Sequence, residues 1–254
     1  MIVTINGNET LRADWLIGAD GGKSRVREAV GVKLEGFTWP ERFLVASTPF
    51  DFAQVIPTLA DVSYFADPEE WYFLLRVRDV WRAMFPTRAE ESEADILSDA
   101  SIERRLQRVH AKAGRYEIAH RTLYSIHQRV AETYRKGRVF LAGDAAHLNN
   151  PLGGMGMNGG LHDAINLAGK LVALHRGEAD KAILERYEPE RRPIAIEYIN
   201  ANTARNKRLM EERDPEARKR AQDEMCRIAA DPVTAKAFLM KSSMLQAVRA
   251  PTSA

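Results

Sequence analysis

Residues 137–176 read GRVFLAGDAAHLNNPLGGMGMNGGLHDAINLAGKLVALHR, and this stretch gives the clearest indication of the fold. A short apolar run at 139–142 predicts a strand that stops at Gly143 and Asp144. Five glycines follow within residues 153–160, and apolar residues then recur at helical spacing up to a polar stop at 175–177. This order of strand, acid, glycine-rich loop and helix predicts a site for a ribose hydroxyl and an anionic group.

The glycines and the helix start give this prediction its physical basis. Glycine lets the main chain approach a flat or charged ligand because it has no Cβ. The first turn of a helix offers unpaired N–H groups and a partial positive charge. The alternative is a tight turn in which Asp144 is an ordinary N-cap. A turn needs only about one or two glycines, so five glycines in eight residues favour the ligand site.

A second stretch, WLIGADGGKS at residues 15–24, has the same order of strand, acid, glycines and helix start over fewer residues. Its apolar strand ends at Asp20 and two glycines, and Ser24 is a candidate N-cap for a helical pattern that closes at Gly31. Two strands that each end in glycine and aspartate predict one parallel sheet, with both carboxyl ends facing the ligand. An Asx turn or a helix cap is the alternative role for Asp20.

Other segments rich in β-branched and aromatic residues predict antiparallel structure. Residues 2–12 form a candidate hairpin around an Asn-Gly turn. Between residues 37 and 85 such runs follow one another without helices, which predicts an antiparallel sheet, and residues 116–130 predict a further strand. The three tryptophans of this segment fit either an aromatic pocket or the sheet core, and core is favoured because aromatic strands usually pack.

The remaining patterns are helical. Residues 90–114 carry helical spacing that ends at Gly114, and residues 178–254 are helical with breaks expected at Asp214-Pro215 and Asp231-Pro232.

Composition describes an ordinary globular chain of 254 residues with 45% hydrophobic residues. The 37 basic and 35 acidic residues nearly balance, which argues against nucleic acid or an anionic membrane as a partner. A single cysteine, Cys226, excludes an internal disulfide and fits a cytoplasmic location. We expect no membrane-spanning segment and no metal site, because neither a long apolar run nor metal-ligand spacing occurs. A homo-oligomer is compatible with this composition.

The two glycine-rich stretches together resemble a known family. LIGADGGKSRVREAVG is similar to the DG motif, and GRVFLAGDAAHLNNPLGGMGMNGGLHDAINLAGKL to the GD motif, of FAD-dependent aromatic hydroxylases and monooxygenases. The members it resembles are of the p-hydroxybenzoate and phenol hydroxylase type. LERYEPERRPIA at residues 184–195 also matches the texture of this family.

The resemblance implies how matching residues hold FAD. Asp144, beside Gly143, accepts a hydrogen bond from a ribityl or ribose hydroxyl. Asp20 acts indirectly at the diphosphate and shapes the path of NAD(P)H, and Arg27 anchors that loop. Helix-start N–H groups stabilise negative charge on the flavin. The residues expected along the isoalloxazine edge are Pro151, Leu152, Gly153, Gly154, Met155, Gly156, Met157 and Asn158.

The same resemblance implies the chemistry. NAD(P)H reduces FAD, and O₂ then supplies one oxygen atom to a small phenol-like ring, while the protein holds the ring and excludes water. The sequence does not identify the catalytic residue. Tyr64, Tyr72, Arg76 and His127 lie in the right part of the chain, but sheet packing or surface exposure explains each of them better. For His147 we expect a structural hydrogen bond.

One feature departs from the family pattern. Members begin with a βαβ unit that carries G-x-G-x-x-G, and residues 1–20 contain no match to it. We therefore expect an N-terminally truncated member with an unpaired sheet edge. The leading hypothesis is a monooxygenase, and the alternative is a non-catalytic remnant that binds no FAD. A different flavoenzyme on the same scaffold, such as a halogenase, ranks lowest.

These patterns combine into one predicted architecture of the mixed α/β class. An incomplete Rossmann-like, FAD-binding parallel sheet comes from residues 1–34 and 131–177. Residues 35–130 form an inserted antiparallel-sheet substrate domain, and residues 178–254 form C-terminal helices.

Overall fold

The computed structural model describes residues 1–152, 154–197 and 203–243. Its strands are β1 (Ile2–Ile5), β2 (Glu9–Arg12), β3 (Leu16–Gly18), β4 (Leu34–Thr48), β5 (Val62–Phe65), β6 (Tyr72–Val77), β7 (Val80–Pro86), β8 (His120–Ala131), β9 (Arg135–Lys136), β10 (Val139–Leu141) and β11 (His147–Leu148). Its α-helices are α1 (Arg25–Ala29), α2 (Glu93–Ile96), α3 (Asp99–Val109), α4 (Met155–His175), α5 (Tyr187–Glu197), α6 (Thr203–Glu211), α7 (Pro215–Ala230) and α8 (Pro232–Ser242). The predicted mixed α/β class is confirmed.

The chain clusters into two compact units. The first unit contains Met1–Phe37, His127–Arg205 and Glu224–Ala254, and the second contains Thr38–Ile126 and Asn206–Asp223. The division of the chain into four domain segments stays a prediction.

The first unit holds the parallel strands. Strand β10 lies between β3 and β9 and runs parallel to β3, with Phe140 opposite Ile17 and Leu141 opposite Gly18. This confirms the predicted parallel pairing. Because the two strands are parallel and in register, both carboxyl ends leave the sheet at the same edge. Strand β3 is the outer strand of this three-stranded sheet, and Ile17 on it is exposed.

The start of the first unit is the predicted hairpin. Strands β1 and β2 pair antiparallel from Ile2 opposite Arg12 to Ile5 opposite Glu9. Asn6 and Gly7 both have positive φ in the turn, the conformation that Asn-Gly sequences favour.

The core of the first unit lies under strand β10. Phe140 and Leu141 are buried against Leu167 of α4 and Tyr187 of α5. The Tyr187 hydroxyl donates a hydrogen bond to the carbonyl oxygen of Leu141 at 2.8 Å. Burying side chains of this size contributes about 1.5–3 kcal/mol each, so the core fixes strand β10 and helix α5 together.

An antiparallel sheet has the strand order β11-β8-β4-β7-β6-β5, and the second unit holds β5, β6 and β7 with most of β4 and β8. One face of the sheet packs through Leu44, Leu74 and Phe85 against Ile102 and Leu106 of helix α3. Strand β4 is longer than the run of β-forming residues predicts. It extends back to Leu34, across Gly36 and Pro40, and lies between strands β8 and β7 in the sheet.

Helices α7 and α8 begin at Pro215 and Pro232, which confirms the predicted breaks. The Asp231 carboxylate accepts hydrogen bonds from the N–H groups of Val233 and Thr234 and so caps α8. The parts of the predicted helical region at 198–202 and 244–254 lie outside the described residues. None of the helices in the described ranges is long and apolar enough to cross a bilayer.

Gly36 provides a test of how strand β4 passes its neighbour. Its φ is +128°, and a Cβ built there would lie 2.1 Å from the backbone oxygen of Gln128. We expect Gly36→Ala to lower the free energy of unfolding by about 2–5 kcal/mol, because backbone strain and a clash add. Chemical denaturation measures this loss.

Gly114→Ala is the matched control. Gly114 also has a positive φ, +72°, but a Cβ there meets open space. The control should lose only about 1–2 kcal/mol, the cost of the left-handed conformation alone. Equal losses in the two variants would contradict the close approach of Gly36 to Gln128.

Candidate functional site

The site begins where strand β10 ends. The chain leaves Leu141 and enters a short 3₁₀ helix, Gly143–Ala145, in which Gly143 has φ +60°. Helix α4 passes close to this turn, since a Cβ built on Gly160 would lie 3.2 Å from the Cα of Gly143. Asp144 is exposed at the turn, and its carboxylate accepts no hydrogen bond from any described residue. It caps neither the 3₁₀ helix, whose N-cap is Ala142, nor α4.

The loop before helix α4 leaves its backbone open. The N-cap of α4 is Gly154, at φ +67°, so no side chain caps the first turn. A Cβ placed on Gly154 or Gly156 would meet nothing within 4 Å. The side-chain Oδ1 of Asn150 accepts a hydrogen bond from the N–H of Leu152 at 3.0 Å. Its Nδ2 is buried and has no partner among the described residues.

Glycines at 154, 156 and 159 have the spacing G-x-G-x-x-G at the start of α4. In the dinucleotide-binding fingerprint this pattern follows a strand directly, whereas here a long loop separates it from β10. The third glycine has a packing role of its own. A Cβ on Gly159 would lie 2.9 Å from Cε1 of His147, so only glycine lets α4 approach that ring.

The buried carboxylate of Asp163 connects the turn at Gly143, strand β11 and helix α5. Its Oδ2 accepts a hydrogen bond from the N–H of Gly143 at 3.0 Å and lies 3.0 Å from Nε2 of His147. Its Oδ1 accepts a hydrogen bond from Nε of Arg191 at 2.8 Å. The side chains of Asp163, His147 and Arg191 are each at least 97% buried. One carboxylate on α4 therefore joins the end of β10, strand β11 and helix α5.

The partners of Asp163 keep it ionised. Burial alone raises the pKa of a carboxyl group, but the hydrogen bond and charge from His147, together with the charge of Arg191, outweigh burial. The pKa of Asp163 therefore lies below its ordinary value of 3.8. The structural hydrogen bond expected for His147 is confirmed, and the sequence did not identify Asp163 or Arg191.

The DG stretch lies at the same edge of the sheet. Asp20 accepts hydrogen bonds at Oδ2 from the N–H of Arg25 at 2.7 Å and of Val26 at 3.2 Å, and at Oδ1 from the hydroxyl of Ser24. Burial is the largest single effect and opposes ionisation of Asp20, but the hydrogen bonds together outweigh it and lower the pKa of this carboxyl group. Ser24 is the N-cap of α1, as predicted.

Arg27 ties the DG stretch to the GD stretch. Its Nη1 donates to the carbonyl oxygen of Ala145 and its Nη2 to that of Gly22, both at 2.9 Å. The side chain is buried, and 118 residues of sequence separate Arg27 from Ala145. The anchoring role predicted for Arg27 thus has a defined partner in the other motif.

The predicted site residues differ in their exposure. Asp20, Asp144, Gly154 and Met157 are exposed, Leu152 is buried, and Gly153 lies outside the described residues. The others are partly exposed, namely Gly143, Pro151, Met155, Gly156 and Asn158. Within the described residues no group of three or more His, Cys, Asp or Glu side chains is arranged to hold a metal ion.

The second unit carries a cluster of aromatic rings on the sheet face opposite helix α3. Phe43 stacks on Tyr124 with ring centroids 5.9 Å apart and contacts Trp71 and Phe73 edge-on. Tyr64 lies 5.2 Å from Phe73 and is partly exposed. Burial raises the pKa of Tyr124, which keeps its hydroxyl protonated at neutral pH.

The four polar residues that the sequence analysis considered for a catalytic role lie in different places. Tyr64 lies on the aromatic face, whereas Tyr72 points to the other face and stacks on Phe65. Arg76 lies over the ring of Trp81, 5.9 Å from its centroid. His127 is part of β8 in the first unit, and its pKa is lowered by burial and by the charge of Arg129.

The buried network gives a direct stability prediction. Asp163→Asn removes the counter-charge from buried Arg191 and puts an amide where donors converge. We expect a loss of about 3–5 kcal/mol in the free energy of unfolding, the usual result of breaking a buried ion pair. Glu28→Gln is the control, since the Arg25–Glu28 pair is exposed, and it should cost less than about 1 kcal/mol.

The same network predicts a dependence on pH. Folding lowers the pKa of Asp163, so its contribution to stability is complete above the ordinary value of 3.8 and is lost as the pH falls toward the folded-state pKa. The difference in unfolding free energy between wild type and Asp163→Asn should therefore be constant near neutral pH and shrink below about pH 4. A difference that grows on acidification would contradict the assignment.

Comparison with known proteins identifies relatives of the chain. The family model described as "FAD binding domain" matches residues 3–202. Para-nitrophenol 4-monooxygenase of Pseudomonas sp. (strain WBC-3) is 32% identical over 252 residues, which cover 96% of this chain and 60% of that protein.

Solved structures agree with the sequence comparison. The crystal structure of p-nitrophenol 4-monooxygenase from Pseudomonas putida DLL-E4 superposes with a TM-score of 0.84 at 29% identity, covering 96% of this chain and 62% of that one. Aklavinone-11 hydroxylase in a ternary complex with FAD and aklavinone gives a TM-score of 0.68 at 30% identity, covering 75% and 37%.

The chain spans about three fifths of the length of the nitrophenol monooxygenases that it matches. The family model covers more than three quarters of the chain and includes both glycine-rich motifs. The resemblance drawn from those motifs is thus confirmed, and the chain belongs to the family of FAD-dependent aromatic hydroxylases and monooxygenases.

Proposed function

We propose that the protein acts in the FAD-dependent hydroxylation of a small, phenol-like aromatic compound, with NAD(P)H and O₂ as co-substrates. The observation that carries the proposal is the edge formed by β3 and β10. Asp144 has an exposed, unbonded carboxylate at this edge, and helix α4, whose first turn no side chain caps, passes the neighbouring Gly143 at Gly160. When bound, FAD supplies the transfer of electrons from NAD(P)H to O₂ and the activation of oxygen.

The donors and acceptors at this edge fit a flavin nucleotide. The Asp144 carboxylate is an acceptor for a ribityl or ribose hydroxyl. Nδ2 of Asn150 is a buried donor that lacks a partner within the described residues, and a cofactor oxygen would satisfy it. Open space at Gly154 and Gly156 leaves room for a flat ring to lie against the backbone.

The charge of α4 suits the same ligand. The first-turn N–H groups of a 21-residue helix carry partial positive charge, which favours an anionic part of the cofactor. Pro151, which is partly exposed in the loop before the helix, supplies apolar surface beside it. In this proposal Asp20 acts only indirectly, because both its carboxylate oxygens are occupied by the start of α1.

The aromatic face of the second unit supports an aromatic substrate. Tyr64, which is exposed and packs on the buried ring of Phe73, offers a ring surface for stacking or edge contact with a phenol. Tyr124 offers a phenolic hydroxyl that is protonated at neutral pH, with its pKa raised further by burial, and this hydroxyl can donate to an oxygen of the substrate. NAD(P)H as co-substrate and the single exposed Cys226 fit the reducing cytoplasm.

Asp144→Ala tests the cofactor assignment. Removing the acceptor strands a hydroxyl of the bound cofactor, so we expect FAD affinity to fall by about 1–3 kcal/mol. Quenching of FAD fluorescence on titration with the purified protein measures this change. Asp14→Ala is the matched control, because Asp14 is also an exposed aspartate of the first unit, and its FAD affinity should equal that of wild type.

Two results would overturn the proposal in different ways. Unchanged FAD affinity in Asp144→Ala would remove Asp144 from the site. Wild-type protein that binds no FAD would favour the non-catalytic alternative. The activity itself is tested by NAD(P)H oxidation with 4-nitrophenol and other phenols, where the expected result is hydroxylated product formed in step with NAD(P)H consumption.

A further inference from the structure

A charged cleft of about 930 Å³ opens within the second unit. One side of it is helix α3, which presents Arg104, Arg105 and Arg108 at positions i, i+1 and i+4 of one helix face. Residues from the segments 67–71 and 86–91 form other parts of the lining. None of these residues belongs to the proposed FAD site.

Arg105 forms the fixed base of the cleft. It is 97% buried and its Nε lies 2.9 Å from Oε1 of Glu70, while Nη2 lies 2.9 Å from Oε2 of Glu91. Nη1 donates to the hydroxyl of Ser101. Burial opposes its charge, but the two carboxylates outweigh burial and raise the pKa of Arg105. Each of the three nitrogens of this guanidinium is therefore bonded within the chain.

The carboxylates that line the cleft are all paired with a cation of the chain. Arg105 holds Glu70 and Glu91, and Arg108 lies 3.5 Å from Asp67 and 3.2 Å from Glu69. The other two lining carboxylates pair with Lys207, whose Nζ lies 2.9 Å from Glu41 and 2.6 Å from Glu211.

Three guanidinium groups in the lining are left over. Among the described residues no carboxylate lies within 4 Å of the side chains of Arg88, Arg104 or Arg213. Arg104 makes one long contact, at 3.4 Å, with the hydroxyl of Ser101. Oε2 of Glu41 is the complementary case, a buried acceptor with no partner in the described part of the chain.

The three arginines without an ion-pair partner and Oε2 of Glu41 indicate which ligand would fit this cleft. Three guanidinium forks call for an anion with several acceptor oxygens, and guanidinium matches phosphate in a bidentate geometry. The free oxygen of Glu41 calls for a hydroxyl or amine donor on the same ligand. We propose that this cleft binds a phosphate-bearing ligand with at least two negative charges.

Titration calorimetry of the full chain with pyrophosphate at low ionic strength tests the proposal. We expect saturable binding with one site per chain. Arg104→Gln combined with Arg213→Gln should weaken binding by about tenfold or more, since each charge-assisted hydrogen bond is worth about that factor. Both side chains are exposed and lack ion-pair partners, so the variant should keep the melting temperature of wild type.

Arg115→Gln combined with Arg138→Gln is the matched control. These arginines are exposed, and their substitution changes the net charge by the same amount outside the cleft. The control should bind pyrophosphate within about twofold of wild type. No saturable binding in wild type, or equal losses in the two double variants, would overturn the proposal.

ADP in place of pyrophosphate distinguishes the two sources of such a ligand. Tighter binding of ADP, with the gain lost in Glu41→Gln, supports a nucleotide whose hydroxyls meet Glu41. Equal or weaker binding of ADP supports an inorganic or simple organic phosphate.

Discussion

The structure of the first unit depends on one buried carboxylate. Asp163 accepts from the main chain of Gly143 and binds the imidazole of His147 and the guanidinium of Arg191. These groups come from a turn, a strand and two helices, and the Lys170–Glu190 ion pair joins the same two helices a second time. A buried carboxylate is costly unless it is paired and fully hydrogen-bonded, so each partner is needed for the others to stay in place.

This constraint leaves the groups that we propose to face the cofactor free of structural roles. Because Asp163 bonds Gly143 from within, the adjacent Asp144 needs no structural role and stays exposed with its carboxylate unbonded. Arg27 does the same for the other motif by joining Gly22 to Ala145. The two glycine-rich stretches therefore form one rigid edge whose outer surface carries unused acceptors and open backbone. Rigid support behind unsatisfied groups is what a preorganised binding site requires.

Local patterns predicted the elements but not the contacts that hold them. The strand at 139–142, the stop at Gly177 and the pairing of β10 with β3 follow from short-range signals. Asp163 and Arg191 are 28 residues apart, and no local rule connects them. The apolar spacing of α4 predicted a helix, yet Leu161 and Ile165 on that stripe are exposed. The side of α4 that faces the core carries Asp163 and Lys170, because the core there is built around ion pairs.

Hydrogen exchange of the Gly143 amide tests whether Asp163 holds the turn at the end of β10 in a closed network. If the Asp163 carboxylate accepts this N–H in a closed, buried network, the amide should exchange only through global unfolding and be as protected as the amide of Leu141 in β10. In Asp163→Asn it should exchange faster than Leu141 through local opening. Rapid exchange of Gly143 in the wild-type protein, at the rate of an exposed amide, would contradict the claim that this carboxylate organises the site.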